Sequence, residues 1–412
     1  MGPSRRWLAL PLALLLGCGG GNSASSGAAS AASPAFVAGG AFVADGAMRS
    51  PRAQHTATLL ADGRVLVVGG TDGAGVLADA ELYDPLTGTW DLVRALHDDP
   101  ARGLMMDPRG RVPTARQLHS ATRLLDGRVL IAGGIGIERA DPRGMPVLET
   151  LRSAYVFEPA SNTFRPVGSL TTPRAWHEAL LLSDGRVLLV GGLDASLRAT
   201  ATAEVFDPRS ETFTPLALSD VRAWGSAVAL GGDALVVGGA DVGQAAGGGW
   251  TVQRFPATNA ERFAGASGRF GPIAGPGQGR VLAAAARTSW GALVVGGQVP
   301  QGERLAATTS TLRYDLAQGS FVPGPSLATA RFGAEAVVAG GSVLVLGGLD
   351  ADGAPLASCE LYDPARDAFV PFASLLNPRS DFAAVRLRDG SVLVVGGFGP
   401  EGAALSATER LR

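Results

Sequence analysis

The chain is poor in the features that usually announce a chemistry. Its 412 residues carry a formal charge of only −2 and a pI near 6.1. A balance this even supplies no bulk field to attract nucleic acid or an anionic membrane. Cysteine is scarce: Cys18 and Cys359 are the only two. Four histidines leave little material for a metal centre. The apolar run from Trp7 to Leu16 is too short to span a bilayer as a mature helix.

That run, preceded by Arg5 and Arg6, reads as a secretory signal over residues 1–17. Leu15-Leu16-Gly17-Cys18 resembles a bacterial lipoprotein box, which implies acylation of Cys18 as the mature N-terminus. Gly19 follows in place of Asp, which the resemblance associates with an outer-membrane lipoprotein facing either the periplasm or the cell surface. More than one acyl chain is what firm anchoring requires. Residues 18–35 are rich in Gly, Ser and Ala and carry no charge, a composition for a flexible tether. With Cys18 lipidated, Cys359 has no partner for an intrachain disulfide, and the fold must rest on burial alone.

What is abundant is glycine (58 residues) and hydrophobic side chains (46%), a mixture suited to many short strands and tight turns. The unit is visible in Asp62-Gly63-Arg64-Val65-Leu66-Val67-Val68-Gly69-Gly70, a turn and an apolar strand closed by a diglycine. Diglycines closing such runs recur at Gly69, Gly133, Gly191, Gly238, Gly296, Gly347 and Gly396, at spacings of 64, 58, 47, 58, 51 and 49 residues. Self-similarity at this period marks a stacked or radial repeat. In the first copy, Gln54 to Leu60, Arg64 to Val68, Ala80 to Tyr83 and Thr89 to Leu92 read as four strands. Four antiparallel strands in about 50 residues is the pattern of a β-propeller blade.

Aromatic residues recur with the strands. The third carries Tyr83, Phe157, Phe206, Phe263, Tyr314 and Tyr362; the fourth carries Trp90, Phe164, Phe213, Phe270, Phe321 and Phe369. Diglycine, then Tyr or Phe, then Trp or Phe resembles the kelch repeat over residues 36–412. The implied fold is all-β, a seven-bladed kelch-type propeller. The seventh copy ends on a third strand, while Phe42 to Arg52 parallels Phe164 to Arg174. The N-terminal segment is therefore expected to supply the outer strand of the last blade, closing the ring and hiding two sheet edges.

An arginine opens every innermost strand: Arg52, Arg116, Arg174, Arg222, Arg280, Arg331 and Arg379. Two readings stand. These residues can form a positive ring at one channel mouth, able to hold carboxylate or phosphate; the kelch resemblance implies binding of acidic peptides through such arginines. Alternatively each pairs with a third-strand glutamate, present as Glu81, Glu204, Glu261, Glu360 and Glu409 but replaced by Tyr155 and Leu312 in the second and fifth copies. His55, His119 and His177 follow three of the arginines at fixed offset and read as buried rather than zinc-binding, since equivalent places on neighbouring blades should lie apart. Long loops at His97 to Val112 and Gly136 to Leu151 offer a binding rim, and a third surrounds Trp250. Asp350-Ala351-Asp352-Gly353 lacks the spaced ligands of a calcium loop and reads as a turn.

These features point to a non-catalytic scaffold for a protein, peptide or glycan, displayed at the cell envelope on a lipid tether. It is expected to be monomeric, to need no cofactor, metal or nucleic acid, and to touch membrane only through its lipid. The alternative is a kelch-type carbohydrate-active enzyme such as a periplasmic sialic-acid mutarotase. A copper-radical oxidase of this fold needs two tyrosines, two histidines and a Tyr–Cys crosslink. Here Tyr83, Tyr155, Tyr314 and Tyr362 all fall in third strands, and the single cysteine beyond the tether is Cys359.

Overall fold

The computed structural model describes residues 40–93, 115–141, 145–244, 249–256, 259–302 and 304–412. The signal, Cys18, the tether and the whole of the His97 to Val112 loop lie outside the described residues. Among the described residues the architecture is all-β with one 3-10 turn, Pro400–Gly402, and no helix is long and apolar enough to cross a membrane.

The four expected strands of the first repeat are present as Thr56–Leu59, Val65–Val68, Ala80–Asp84 and Thr89–Leu92, paired antiparallel in chain order. Seven such four-stranded paths occur among the described residues. In the seventh, the strands Ala383–Arg386, Val392–Val395 and Ala407–Leu411 are joined by Phe42–Ala47 from the other end of the chain. Phe42 stands opposite Leu411, the register at which Phe164 stands opposite Phe157 in the second sheet. Asp45 ties this N-terminal strand to its surroundings. It accepts the Tyr83 hydroxyl of the first sheet at 2.6 Å and lies 3.5 Å from the Arg410 guanidinium.

The paired aromatics occupy directly opposed positions on third and fourth strands. Tyr83 faces Trp90 with ring centroids 5.0 Å apart, Phe157 faces Phe164 at 4.9 Å, and Tyr362 faces Phe369 at 5.6 Å. Tilted cross-strand pairs of this kind bury large area and fix register. The core is divided into layers rather than gathered at one centre. One cluster joins Leu66 and Val68 of the first sheet to Val129 and Ile131 of the second. Another joins Val385 and Leu393 of the seventh to Ala57 and Val67 of the first. Each innermost strand packs against the innermost strand of the next sheet, and the seventh packs against the first.

The apolar second strands are buried throughout, as in Val65–Val68 and Val392–Val395. Beyond their diglycines, three sheets extend a hairpin: Ile135–Ala140 with Pro146–Thr150, Asp233–Gln244 with Trp250–Arg254, and Gln298–Gln301 with Arg304–Ala307. Alternation of strand direction puts these hairpins at the end of the molecule that holds the diglycines and the seven arginines. The Asp-Gly turns, such as Ala61 to Gly63, lie at the other end.

Candidate functional site

The diglycine end is built from a unit used seven times. The first glycine lies at φ between +52° and +69° and the second between +82° and +100°, a left-handed path that side chains disfavour. Its carbonyl accepts Nη1 of the arginine in its own sheet: Arg52 to Gly69 at 2.8 Å, Arg174 to Gly191 at 2.8 Å, Arg331 to Gly347 at 3.0 Å. The second glycine donates its N–H to the backbone carbonyl of the next sheet's arginine. Gly70 reaches Arg116, Gly134 reaches Arg174, and Gly397 reaches Arg52, each at 2.8 Å. A Cβ on Gly133 would sit 2.4 Å from the Arg174 carbonyl oxygen, so glycine is required for the approach.

The arginine side chains point inward. Arg52, Arg116, Arg174, Arg331 and Arg379 have no exposed surface, and Arg222 and Arg280 expose 2% and 4%. The expectation of a positive ring open at the channel mouth is therefore corrected: a guanidinium held by buried carbonyls on one side and a carboxylate on the other has no face left for solvent. All five third-strand glutamates are in place. Arg52 bonds Glu81 at 2.6 Å, Arg174 bonds Glu204 at 2.9 Å, Arg222 bonds Glu261 at 2.5 Å, Arg331 bonds Glu360 at 3.0 Å, and Arg379 bonds Glu409. The glutamates also take backbone N–H groups from the loop entering the sheet, as Thr171 and Thr172 to Glu204 at 2.7 and 3.1 Å. Each of the five glutamates thus accepts at least one backbone N–H besides its arginine, which helps a buried ion pair to be tolerated. In the second sheet Tyr155 stands at the glutamate register, and its ring centroid lies 5.0 Å from Arg116 Cζ.

Two residues beyond each arginine lies a feature that the sequence reading missed. Gln54, Leu118, Trp176, Trp224, Leu282, Gly333 and Asp381 all take φ between +52° and +62°. Five backbone bonds link them in two runs: Gln54 to Asp381, Leu118 to Gln54 and Trp176 to Leu118 in one, Leu282 to Trp224 and Gly333 to Leu282 in the other, between 2.9 and 3.1 Å. Left-handed conformations in bulky residues cost about 1–3 kcal/mol each and persist only where surroundings impose them. Trp176 and Trp224 meet edge to face, 6.1 Å apart, and Trp250 from the extended hairpin packs on them at 5.6 and 5.7 Å. All three are at most 6% exposed, so Trp250, which the sequence sets in a Gly-rich long loop, is a core residue. Across from this apolar lid, Gln54 and Asp381 are polar and buried, with Gln54 Nε2 3.4 Å from Asp381 Oδ1 and Ser380 Oγ 2.9 Å from Oδ2. Burial pushes the Asp381 carboxyl up to about 7.

The histidines are buried and held neutral. His119 shares a hydrogen bond with Thr56 at 3.0 Å and His177 with Ser120 at 2.9 Å, each reaching the innermost strand of the preceding sheet. Burial and the neighbouring guanidiniums push His55 and His177 down to about 3. Among the described residues no group of His, Cys, Asp and Glu is arranged to hold a metal ion. Cys359 is buried, its thiol pushed up to about 12 by desolvation. Asp350 forms a turn, accepting the N–H groups of Asp352 and Ala354 at 2.9 Å.

Comparison with known proteins agrees with this unit. The kelch motif family matches residues 51–96 and 330–376, which hold the Arg52 and Arg331 units. The chain carries kelch repeats. The kelch-repeat chain is 26% identical over 171 residues to alpha-scruin of Limulus polyphemus (40% of this chain, 16% of scruin). It is 27% identical over 158 residues to an F-box/kelch-repeat protein of Arabidopsis thaliana (35% of this chain, 29% of that protein). The matches therefore span less than a third of these relatives. Among solved structures it is similar to a fungal alcohol oxidase of the AA5 family in complex with copper, with TM-score 0.62 and 18% identity over 90% of this chain and 75% of the oxidase. It is also similar to YjhT, with TM-score 0.53 and 14% identity over 79% of this chain and 98% of YjhT. At such identities the likeness concerns the fold, a β-propeller.

Proposed function

We propose that this kelch-repeat protein is a closed seven-bladed propeller serving as a non-catalytic binding scaffold, and that it binds a protein, peptide or glycan through its diglycine end. Closure is supported by the pairing of Phe42–Ala47 with Ala407–Leu411 and by the bond from Gly397 to the Arg52 carbonyl. One observation carries the choice of face. The arginine–diglycine frame repeats in every sheet, whereas the end it supports is asymmetric, with a tryptophan cluster on one side and, among the described residues, extended hairpins on three sheets. A propeller's specificity resides where its repeats differ. The hairpin Ile135–Ala140 with Pro146–Thr150 leaves Met145 and Leu148 62% and 56% exposed, which suits contact with a macromolecule.

Display at the bacterial cell envelope belongs to the same proposal and draws its support from the Leu15–Cys18 box and the uncharged tether. Replacing Cys18 by Ala should move the protein from the membrane to the soluble fraction; unchanged fractionation would refute the lipid anchor. For the binding face, a photo-crosslinking residue placed at Leu148 should capture envelope components. The same residue at Leu125, 63% exposed on a turn at the opposite end, should not. Equal or reversed capture would overturn the choice of face.

A further inference from the structure

We infer that Arg280 is the seat of a small monovalent anion, of the size of chloride or formate, taken from solvent in place of a missing glutamate. Every other arginine of the set has a π or anionic partner for its buried charge: five have glutamates, and Arg116 has the Tyr155 ring. In the fifth sheet Leu312 occupies the glutamate register, opposite Val294 as Glu360 stands opposite Val345. Arg280 keeps the rest of the unit. Its Nη1 bonds the Gly296 carbonyl and, at 3.0 Å, that of Ser310, while Nη2 bonds Ser310 Oγ at 2.7 Å. These are neutral acceptors, and no carboxylate among the described residues pairs with it. Burial alone acts on this guanidinium, and it is pulled down to about 10, so the group remains a cation at neutral pH.

The loop that enters the sheet differs from its counterparts in a way that opens a path to the cation. In the third, sixth and seventh sheets the residues three and two places before the arginine donate their N–H groups to the glutamate: Thr171 and Thr172, Ala328 and Thr329, Leu376 and Asn377. The corresponding residues before Arg280 are Gly277 and Gln278, both exposed, which gives an anion access from solvent. A seat in which leucine replaces the carboxylate while the buried cation is kept has lost its anion, and a small anion from solvent restores the balance. A buried, uncompensated guanidinium is the costly alternative.

The test is thermal unfolding of the whole chain in sodium chloride against sodium gluconate at equal ionic strength, where the bulky anion does not fit. Wild type is expected to melt about 1–3 °C higher in chloride, the shift of a ligand that binds only the folded state. Leu312→Glu supplies the carboxylate from the chain. It should melt in gluconate at least as high as wild type in chloride, and lose the dependence on anion. Leu312→Gln, equal in shape and uncharged, should keep it. Bromide-soaked crystals should show an anomalous peak beside Arg280 in wild type and none in Leu312→Glu. Absence of any chloride effect in wild type, or its persistence in Leu312→Glu, overturns the inference.

Discussion

Replacing Gly133 by alanine tests whether the diglycine is a joint between sheets or merely a turn. Its φ is +63°, where an L side chain costs about 1–2 kcal/mol. The added Cβ would meet the Arg174 carbonyl oxygen at 2.4 Å and His177 Cε1 at 3.0 Å. Both neighbours belong to the next sheet, and the carbonyl is backbone, so relief requires the sheets to separate. Separation breaks the 2.8 Å bond from Gly134 to that carbonyl, worth about 1 kcal/mol, and leaves a buried acceptor unsatisfied at about 1–3 kcal/mol. The sum is about 3–6 kcal/mol, an expected fall in Tm of several degrees by circular dichroism. Gly73→Ala is the matched control. It lies at φ +92° with nothing within 4 Å of the added Cβ, so only the conformational cost of about 1–2 kcal/mol applies. Equal destabilisation by the two substitutions would refute the joint, because backbone strain would then explain everything.

Glu204→Gln should destabilise by about 3–5 kcal/mol, since it leaves Arg174 charged and buried, whereas the double replacement Arg174→Met with Glu204→Leu should cost much less; a double-mutant cycle in denaturant measures the difference. The histidines set the acid limb of stability. His55 and His177 are pushed down to about 3, so the unfolded chain binds more protons than the folded one below pH 6.5. Their contribution is complete above that pH and is lost as pH falls towards 3, and His177→Asn should flatten the decline measured by urea titration between pH 6 and 4. Asp381 acts in the opposite sense. Its carboxyl, raised to about 7, contributes most below the unfolded value near 4 and loses that contribution as pH rises through 7. Asp381→Asn should therefore raise Tm at pH 8 and give no gain at pH 4; a uniform shift at both would refute the burial argument.

The parts of this molecule legible in the sequence are those in which chemistry and period coincide. Arginine, diglycine and glutamate recur in a fixed order along the strands, and each Arg–Glu pair is made within one sheet, so register predicts it. The cross-strand aromatics were legible for the same reason. The left-handed ring was not, because Gln54, Leu118, Trp176, Trp224, Leu282, Gly333 and Asp381 share a backbone angle and no side-chain type. Only Gly333 and Asp381 belong to the residues that favour such angles. The histidine partners were hidden differently. Thr56 and Ser120 lie one sheet away from the rings they hold, and only the packing of innermost strands brings them together.

The arginine–diglycine unit also limits where function can sit. Its guanidinium braces one sheet while its carbonyl holds the next, so a ligand that drew the side chain outward would loosen two sheets at once. Glutamate occupies the outer side of five of these cations and an aromatic ring that of a sixth. Binding by displacement would have to repay a buried ion pair, which few exposed contacts can do. On the binding role proposed above, recognition falls to exposed elements that the frame does not use, such as the hairpin that carries Met145 and Leu148. If those elements are exchanged between relatives while the seven units are kept intact, specificity should move with them and stability should not.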